Sequence, residues 1–436
     1  MSFEILLTIG MFGSLVLCIM FGVSLAFALG SVGVISALLM YGPDGLMPVV
    51  TGVFNYMWML LLAAVPLFVF IGVALSKSRI AVDMYDAFYL WSGRLRGGLA
   101  VGTCAFAAAL SAMTGNCSAS TVTTGLVAIP PMRQRKYNEL IIFGSIGSSG
   151  TLGILIPPSI TLIVIGMMTG QSIGKLFAGG LVAGVAIVLL FMAYIIFMAW
   201  LHPELCPAME ETPTMRQKLL ALKSVALPSL IILSILGSLF FGIATPTEAS
   251  SVGAMAVLIC VAIRGEFTWK FFKETAYQTA SITGMVLWIM FGAAAFVSIY
   301  SGGGGIYFVQ NMLLGLDASP WMIIIILQLA ILILGMFLDP MGIILLCMPL
   351  FYPVVMSMGF DPVWYGVVFN IALCIGYITP PFGYNLFYLK SLSPETSMNT
   401  IFRSQFPFIL IMVGALILMM LFPAIITWLP NAMSLG

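Results

Sequence analysis

The segment from 274 to 389 contains no lysine or arginine and is apolar almost throughout. A soluble fold of 436 residues needs a charged surface, yet only 7% of this chain is Asp, Glu, Lys or Arg, against about 25% in a typical soluble domain. Its net charge of +1 does not suit a nucleic-acid binder, and its apolar content excludes a disordered chain. The sequence therefore indicates a polytopic membrane protein with room for roughly 10–14 crossings.

The basic residues are clustered, and loops rich in Lys and Arg stay in the cytoplasm. An apolar segment between two cytoplasmic clusters must return to its own side. Residues 97–132 are too short for two crossings, so they predict a hairpin. Segment 322–355 lies between loops without basic residues and predicts a second hairpin that opens to the opposite side. Residues 5–41 exceed one span and fit two, which gives about ten crossings in all.

The two halves of the sequence repeat at an offset of 223 residues, which matches Asn116 with Asp339 and Gly153 with Gly376. The repeat predicts an all-α membrane protein of two inverted repeats, each with five transmembrane helices and one re-entrant hairpin. The first repeat is expected over 1–203, with its hairpin at about 97–132 and a broken helix at about 140–170. A cytoplasmic linker follows over 204–223. The second repeat covers 224–436, with its hairpin at about 322–355 and a broken helix at about 364–389.

Two matched Pro-Pro pairs, Pro157-Pro158 and Pro380-Pro381, are predicted to interrupt helices, because proline lacks an N–H and clashes with the preceding turn. Non-helical backbone at membrane depth is tolerated where it lines a cavity, and its free carbonyls bind cations. Two such breaks predict two cation sites around a shared substrate site, as in a secondary transporter. The alternative is that each pair only kinks its helix.

Three polar positions within apolar segments are candidates for function. Asp339 is the single charge between Trp321 and Leu350, and an intramembrane carboxylate is costly. It is expected to face the substrate, or only to cap the helix that follows. Asn116 and Ser118 belong to the neutral tip of the first hairpin, with the same two alternatives.

Other motifs favour structure over chemistry. Thr245, Pro246 and Glu248 have the spacing of a capping box, which favours a structural role for Glu248. The run 170–175 is one residue short of a phosphate-binding loop, and neither HExxH nor GxSxG occurs. The sequence therefore predicts neither an enzyme nor ATP coupling.

Four motifs together resemble the large membrane (permease) subunit, DctM-like, of tripartite ATP-independent periplasmic (TRAP) transporters: Thr114-Gly115-Asn116, Gly150 to Ser159, Gly242 to Ala249 and Gly335 to Pro340. The resemblance covers essentially the whole chain. It implies a multi-pass protein of the bacterial inner membrane that imports organic acids, such as dicarboxylates or sugar acids. It also implies coupling to about two Na⁺ ions, no organic cofactor, an elevator mechanism, a small four-helix membrane subunit and a periplasmic binding protein. The alternatives are a stand-alone Na⁺- or H⁺-coupled carboxylate symporter and a membrane-integral enzyme or scaffold.

The resemblance also implies site residues. When the family's Na⁺ ligands are matched to this sequence by motif, one Na⁺ site comprises Thr114, Asn116, Gly153, Ile156 and Pro158. The second Na⁺ site comprises Gly335, Gly376, Thr379 and Phe382. The substrate is expected to contact Asp339, Ser118 and Asn116, while Pro157, Pro380, Pro381 and Glu248 are structural. Some sialic-acid-carrying members hold the substrate carboxylate with an embedded arginine near the second hairpin. No such arginine occurs here, which argues against sialic acid as the substrate.

Overall fold

The computed structural model describes residues 3–92, 95–207 and 214–433, and the regular structure within these ranges is helical. The first half contains α1 (Phe3–Met20), α2 (Leu25–Tyr41), α3 (Leu46–Met57), α4 (Ala64–Lys77), α5 (Ile80–Ser92), α6 (Gly98–Thr114), α7 (Cys117–Gln134), α8 (Glu139–Thr151), α9 (Ile160–Thr169) and α10 (Ile173–Leu201). The second half contains α11 (Met215–Phe240), α12 (Pro246–Ile263), α13 (Trp269–Gly302), α14 (Gly305–Leu314), α15 (Pro320–Gly335), α16 (Pro340–Ser357), α17 (Pro362–Ile378), α18 (Tyr384–Leu392), α19 (Met398–Leu421) and α20 (Ala424–Ala432).

The helix bounds follow the same offset of 223 residues as the sequence motifs. Shifted by 223, α6 and α7 would span 321–337 and 340–357, and α15 and α16 span 320–335 and 340–357. The short α5 would span 303–315, where α14 lies at 305–314. Most helices of the first half therefore recur in the second, but α3 and α4 correspond to the single long α13, and α20 has no counterpart among α1–α10.

Eight helical stretches in the described part of the chain are long and apolar enough to cross a bilayer, or nine if the bent α11 is counted. One of the eight, α16, is the second arm of a hairpin. The interrupted helices α8–α9 and α17–α18 each make a further crossing from two short pieces. The count agrees with the predicted ten crossings and two hairpins, and 5–41 forms two helices as expected.

The predicted linker 204–223 is shorter in the structure, because α11 already begins at Met215. The start of α11 has its own signal: Thr214 and Gln217 form a capping box. Residues 208–213, in the middle of the predicted linker, lie outside the described residues.

The two hairpins and the two interrupted helices pack into one body, here called the hairpin bundle (α6–α9 and α15–α18). Every residue of α17 from Val363 to Ile378 is buried, as is every residue of α8 from Ile141 to Thr151. Three buried amides join the halves: Asn370 Nδ2 donates to the Ile154 carbonyl at 2.5 Å, Asn385 Nδ2 to Gly147 at 2.8 Å and Gln405 Nε2 to Phe143 at 2.8 Å. These bonds give the buried amide N–H groups their partners and join the two repeats.

Candidate functional site

Each hairpin tip ends in a residue that caps the second arm. Asn116 Oδ1 accepts hydrogen bonds from the backbone N–H of Ser118 at 2.8 Å and of Ala119 at 3.2 Å, at the start of α7. Asp339 Oδ2 accepts from the N–H of Met341 at 3.0 Å, at the start of α16. Both candidates are thus helix caps, and the caps fix the two side chains at matched points of the repeats.

Both Pro-Pro pairs lie in true interruptions. The first break covers residues 152–159, where a 3₁₀ turn follows α8 and Ser159 then caps α9. The second covers 379–383, between the end of α17 and the start of α18. Pro157, Pro380 and Pro381 therefore separate pairs of short helices, which excludes the kinked-helix alternative.

The first tip touches the first break through two glycines. A Cβ on Gly153 would lie 2.8 Å from the carbonyl oxygen of Asn116, and one on Gly115, whose φ is +59°, would collide with the carbonyl of Pro158. Only glycine permits both approaches. Thr114 belongs to the same cluster, since its Oγ1 donates to the Asn116 carbonyl at 3.4 Å.

Ile156, the remaining member of the first predicted Na⁺ site, lies in the same break. Its backbone N–H donates to the Leu152 carbonyl at 2.8 Å, and its side chain packs against Gly184 of α10. The structure thus brings the residues of this predicted site into one region, with the Asn116 carbonyl against Gly153 and the Pro158 carbonyl against Gly115.

The second tip touches the second break backbone to backbone. A Cβ on Gly376 would lie 2.7 Å from the Cα of Gly335, and one on Gly335 would lie 2.9 Å from the Cα of Gly376. Thr379 follows at the end of α17, and its Oγ1 donates to the Ile375 carbonyl at 2.6 Å. Phe382, at the far end of the break, is half exposed and packs on Phe337 with ring centroids 5.4 Å apart.

A cavity of about 440 Å³ lies where the two tips meet. Asn116, Ser118 and Asp339 all line it. Its opposite wall is apolar and comes from outside the hairpin bundle: residues 24–27 at the start of α2 and residues 282–289 of α13. Among the residues that line this cavity none is lysine, arginine or histidine, so Asp339 carries its single formal charge.

Sequence reasoning missed part of the site. Tyr377, Tyr384 and Tyr388 line the cavity around the second break. Three tyrosines so close to Pro380 in the sequence could have indicated that this break borders a polar cavity. The wall from α2 and α13 is apolar, and its sequence contains no feature that would have indicated a cavity.

A second missed feature lies in the first break. The Ile154 carbonyl accepts hydrogen bonds from Thr161 Oγ1 at 2.7 Å, from Asn370 at 2.5 Å and from Ser159 Oγ. An isolated asparagine in the apolar run of α17 was the signal for this contact. The bonds fix the shape of the break from both repeats.

Glu248 lies away from this cavity and forms a capping box. The Thr245 N–H donates to Glu248 Oε2 at 2.8 Å, and the Glu248 N–H donates to Thr245 Oγ1 at 3.4 Å, with Pro246 at the first helical position. These contacts start α12, a membrane-spanning helix.

Comparison with known proteins gives a consistent result. The family model described as "Tripartite ATP-independent periplasmic transporter, DctM component" matches residues 12–425. The C4-dicarboxylate TRAP transporter large permease protein DctM of Pseudomonas aeruginosa is 29% identical over 410 residues, which cover 94% of this chain and 95% of that protein. The ectoine/5-hydroxyectoine TRAP transporter large permease protein UehC of Ruegeria pomeroyi is 30% identical and covers 84% and 85%.

Two further similar proteins are a longer relative and a solved structure of lower sequence identity. The sialic acid TRAP transporter permease protein SiaT of Haemophilus influenzae is 28% identical, covering 85% of this chain but 60% of that longer protein. Among solved structures, the YdaH transporter of Alcanivorax borkumensis superposes with a TM-score of 0.62 at 14% identity, over 92% of this chain and 98% of that one. At that identity the likeness shows a shared fold.

Proposed function

The chain belongs to the DctM family of tripartite ATP-independent periplasmic transporters, and from this premise we propose that it is a Na⁺-coupled permease subunit that imports an organic acid. It is a multi-pass protein of the inner membrane. The observation that carries the proposal is the convergence of two hairpin tips and two helix breaks on one cavity with a single charge, that of Asp339.

The cation sites are proposed at the two contacts between tip and break. For the first we assign main-chain carbonyls of Thr114, Asn116, Gly153, Ile156 and Pro158, because oxygen donors suit a hard cation such as Na⁺. In the second, the backbones of Gly335 and Gly376 are in contact, with Thr379 and Phe382 in the adjoining break. One Na⁺ at each contact would give a stoichiometry of about two.

Electrostatics gives a reason for ion and substrate to bind together. The N-terminus of α7, capped by the neutral Asn116, presents the positive end of a helix to the cavity and favours a carboxylate. Asp339 repels the same carboxylate at the other tip. A Na⁺ ion near each tip would offset this repulsion, so that the acid binds well only when the cations are present.

Movement and partners follow the family. We propose that the hairpin bundle moves as one body against the wall that α2 and α13 supply, in the manner of an elevator. The small four-helix membrane subunit would enlarge that wall, and a periplasmic binding protein would deliver the substrate. The buried contacts within the bundle support motion as a unit, because breaking them inside a membrane is costly.

Thermal unfolding in detergent tests Na⁺ binding without knowledge of the substrate. Unfolding would be recorded in NaCl, KCl and choline chloride at equal ionic strength, with and without the small subunit. An ion that binds only the folded protein at one hundred times its Kd adds about 2.7 kcal/mol. Stabilisation by Na⁺ alone is expected. Identical curves in all three salts, with the small subunit present, would refute Na⁺ coupling.

Uptake into proteoliposomes tests the substrate site. The substrates named for the relatives supply a panel: succinate for the C4-dicarboxylates, ectoine and sialic acid. Because Asp339 is proposed to make binding of the acid depend on Na⁺, Asp339→Asn is expected to bind the acid without Na⁺ and to lose Na⁺-driven uptake. Asp361→Asn is the matched control, because Asp361 caps α17 ahead of Pro362, accepts from the Trp364 N–H at 2.7 Å and does not line the cavity.

Equal uptake by the two aspartate variants would show that the charge of Asp339 plays no part in transport. The same vesicles separate the proposal from the stand-alone symporter. Full Na⁺-driven uptake without the small subunit and a binding protein would favour the stand-alone carrier, whereas dependence on both supports the proposal.

A further inference from the structure

Two adjoining grooves carry a concentration of basic side chains beside the cavity. One, of about 610 Å³, is lined by α13 from Lys270 to Ser281 and by Lys77 at the end of α4. The other, of about 450 Å³, shares Lys77 and Lys270 and adds Arg79 and Glu266. The two together are called the basic groove. By the distribution of lysine and arginine, this end of α13 faces the cytoplasm.

The basic groove has more positive than negative charge. Glu274 is shared by two lysines, with Oε2 at 3.8 Å from Lys77 Nζ and Oε1 at 4.0 Å from Lys270 Nζ. Glu266 pairs with Arg264 at 3.3 Å and also accepts from the Arg79 backbone N–H at 2.9 Å. Lys273 has no carboxylate within 4.0 Å in the described part of the chain. The groove therefore offers ammonium groups to an anion.

One row of side chains on α13 contributes to the lining of both the basic groove and the cavity. Glu274, Gln278, Ser281 and Met285 follow the spacing i, i+4, i+7 and i+11, which places them in one row. The first three line the groove, and Met285 lines the cavity.

The polarity of this row indicates contact with water. It carries a carboxylate, an amide and a hydroxyl over about two helical turns, and these groups are costly against hydrocarbon. Ile282 of the cavity wall is nine residues from Lys273, or about 14 Å along the helix. A carboxylate in the cavity, which has no basic lining residue, thus reaches its first ammonium groups after a short move along α13.

We propose that the basic groove is a second anion-binding site, which receives the carboxylate of the substrate as it leaves the cavity toward the cytoplasm. The inference rests on the proposed import of an organic acid. It assigns Lys270 and Lys273 to substrate release, while Asp339 and the tips belong to the site of binding.

Lysine labelling tests the site in the purified protein, independently of transport. Pyridoxal 5′-phosphate, an anionic aldehyde, would form imines with lysine amines with loss of water, and borohydride would reduce them for mapping by mass spectrometry. Labelling of Lys270 and Lys273 is expected to fall roughly three- to tenfold with succinate present, while Lys218 of α11 keeps its labelling. Equal protection of all three lysines, or none, would overturn the proposal.

Anionic lipid is the other source of an oxyanion at this end of α13. The labelling would be repeated in micelles that contain phosphatidylglycerol and no succinate. Protection of Lys270 and Lys273 by the lipid, with no protection by succinate, would make the groove a headgroup site and overturn the proposal. Protection by succinate that persists in the presence of lipid supports it.

Transport from each side gives the functional readout. The double variant Lys270→Gln/Lys273→Gln is expected to weaken the apparent affinity for succinate on the cytoplasmic side roughly three- to tenfold. Its apparent affinity for succinate on the periplasmic side should be unchanged. High ionic strength should remove the difference, since the Debye length falls to about 3 Å at 1 M salt. Arg216→Gln/Lys218→Gln removes two charges from α11 and serves as the control.

An effect of equal size on both sides, or one that survives high salt, would refute the role in release. Failure of the unaltered protein to carry succinate would count against the proposed substrate class, and the labelling would still decide whether the groove binds an anion.

Discussion

Gly376→Ala probes the backbone contact between the second hairpin and the second break. The new Cβ would lie 2.7 Å from the Cα of Gly335, whereas ordinary contacts begin at 3.4 Å, so α15 and α17 must separate by at least 0.7 Å. Overpacking of this kind costs about 1–3 kcal/mol. The higher helix propensity of alanine offsets about 0.5–1 kcal/mol of this cost. The two ranges leave a net destabilisation of up to about 2.5 kcal/mol, with a middle value slightly above 1 kcal/mol.

The control variant is Gly414→Ala. Gly414 lies within α19, and a Cβ there meets nothing within 4 Å, so the helix-propensity gain is not offset. Gly414→Ala should therefore stabilise the protein by about 0.5–1 kcal/mol. Because the two substitutions are chemically identical, the opposite signs isolate the packing of Gly376.

Thermal unfolding in NaCl and in choline chloride measures both the packing and the proposed cation site. Separation of the Gly335 and Gly376 backbones is expected to reduce the stabilisation by Na⁺ as well as the melting temperature in choline. Gly414→Ala should keep the full effect of Na⁺. If Gly376→Ala melted at or above the unaltered protein with an unchanged response to Na⁺, the argument from the backbone contact would be wrong.

Three further predictions concern the ends of helices. Arg133→Gln removes hydrogen bonds to Ser393 (2.6 Å) and Thr396 (2.7 Å) and ion pairs with Glu139 and Glu395. It should cost about 1 kcal/mol in unfolding experiments. The hydrogen bond from Ser393 and the pairing with Arg133 lower the pKa of Glu395 from 4.5 to about 2. The ionised carboxylate therefore stabilises the folded protein fully above pH 4.5 and loses this effect as the pH falls toward 2. The difference in melting temperature between Glu395→Gln and the unaltered protein should be constant from pH 7 to 5 and shrink only between pH 4.5 and 2. Thr245→Ala should cost about 1 kcal/mol through loss of the cap of α12, with substrate affinity unchanged.

Much of the fold follows from two regularities of the sequence. The spacing of basic clusters separates full crossings from hairpins, because a segment that begins and ends on one side cannot be a single span. The offset of 223 residues then pairs Asn116 with Asp339 and Gly153 with Gly376, and the structure places each of these glycines against a hairpin tip. Repetition gives long-range information that local propensity lacks.

The remainder depends on three-dimensional packing. The wall from α2 and α13 is apolar, and nothing in its sequence distinguishes contact with a cavity from contact with lipid. The short α14 was not expected, because its apolar residues read as part of an outer loop until it is matched with α5 of the first repeat. Prolines 130 and 131 lie within α7 without ending it, so proline alone does not mark a break.

The buried amides that join the halves impose an order on membrane insertion. The carbonyls of Ile154, Gly147 and Phe143 belong to segments synthesised early, and their partners Asn370, Asn385 and Gln405 lie 216 to 262 residues later in the chain. At about 5–20 residues per second, ribosomes need roughly 10–50 s to supply those partners. During this interval the first repeat is inserted without the amide contacts that hold it against the second repeat. Nascent chains arrested before residue 370 should therefore be more sensitive to membrane proteases than chains arrested after residue 405.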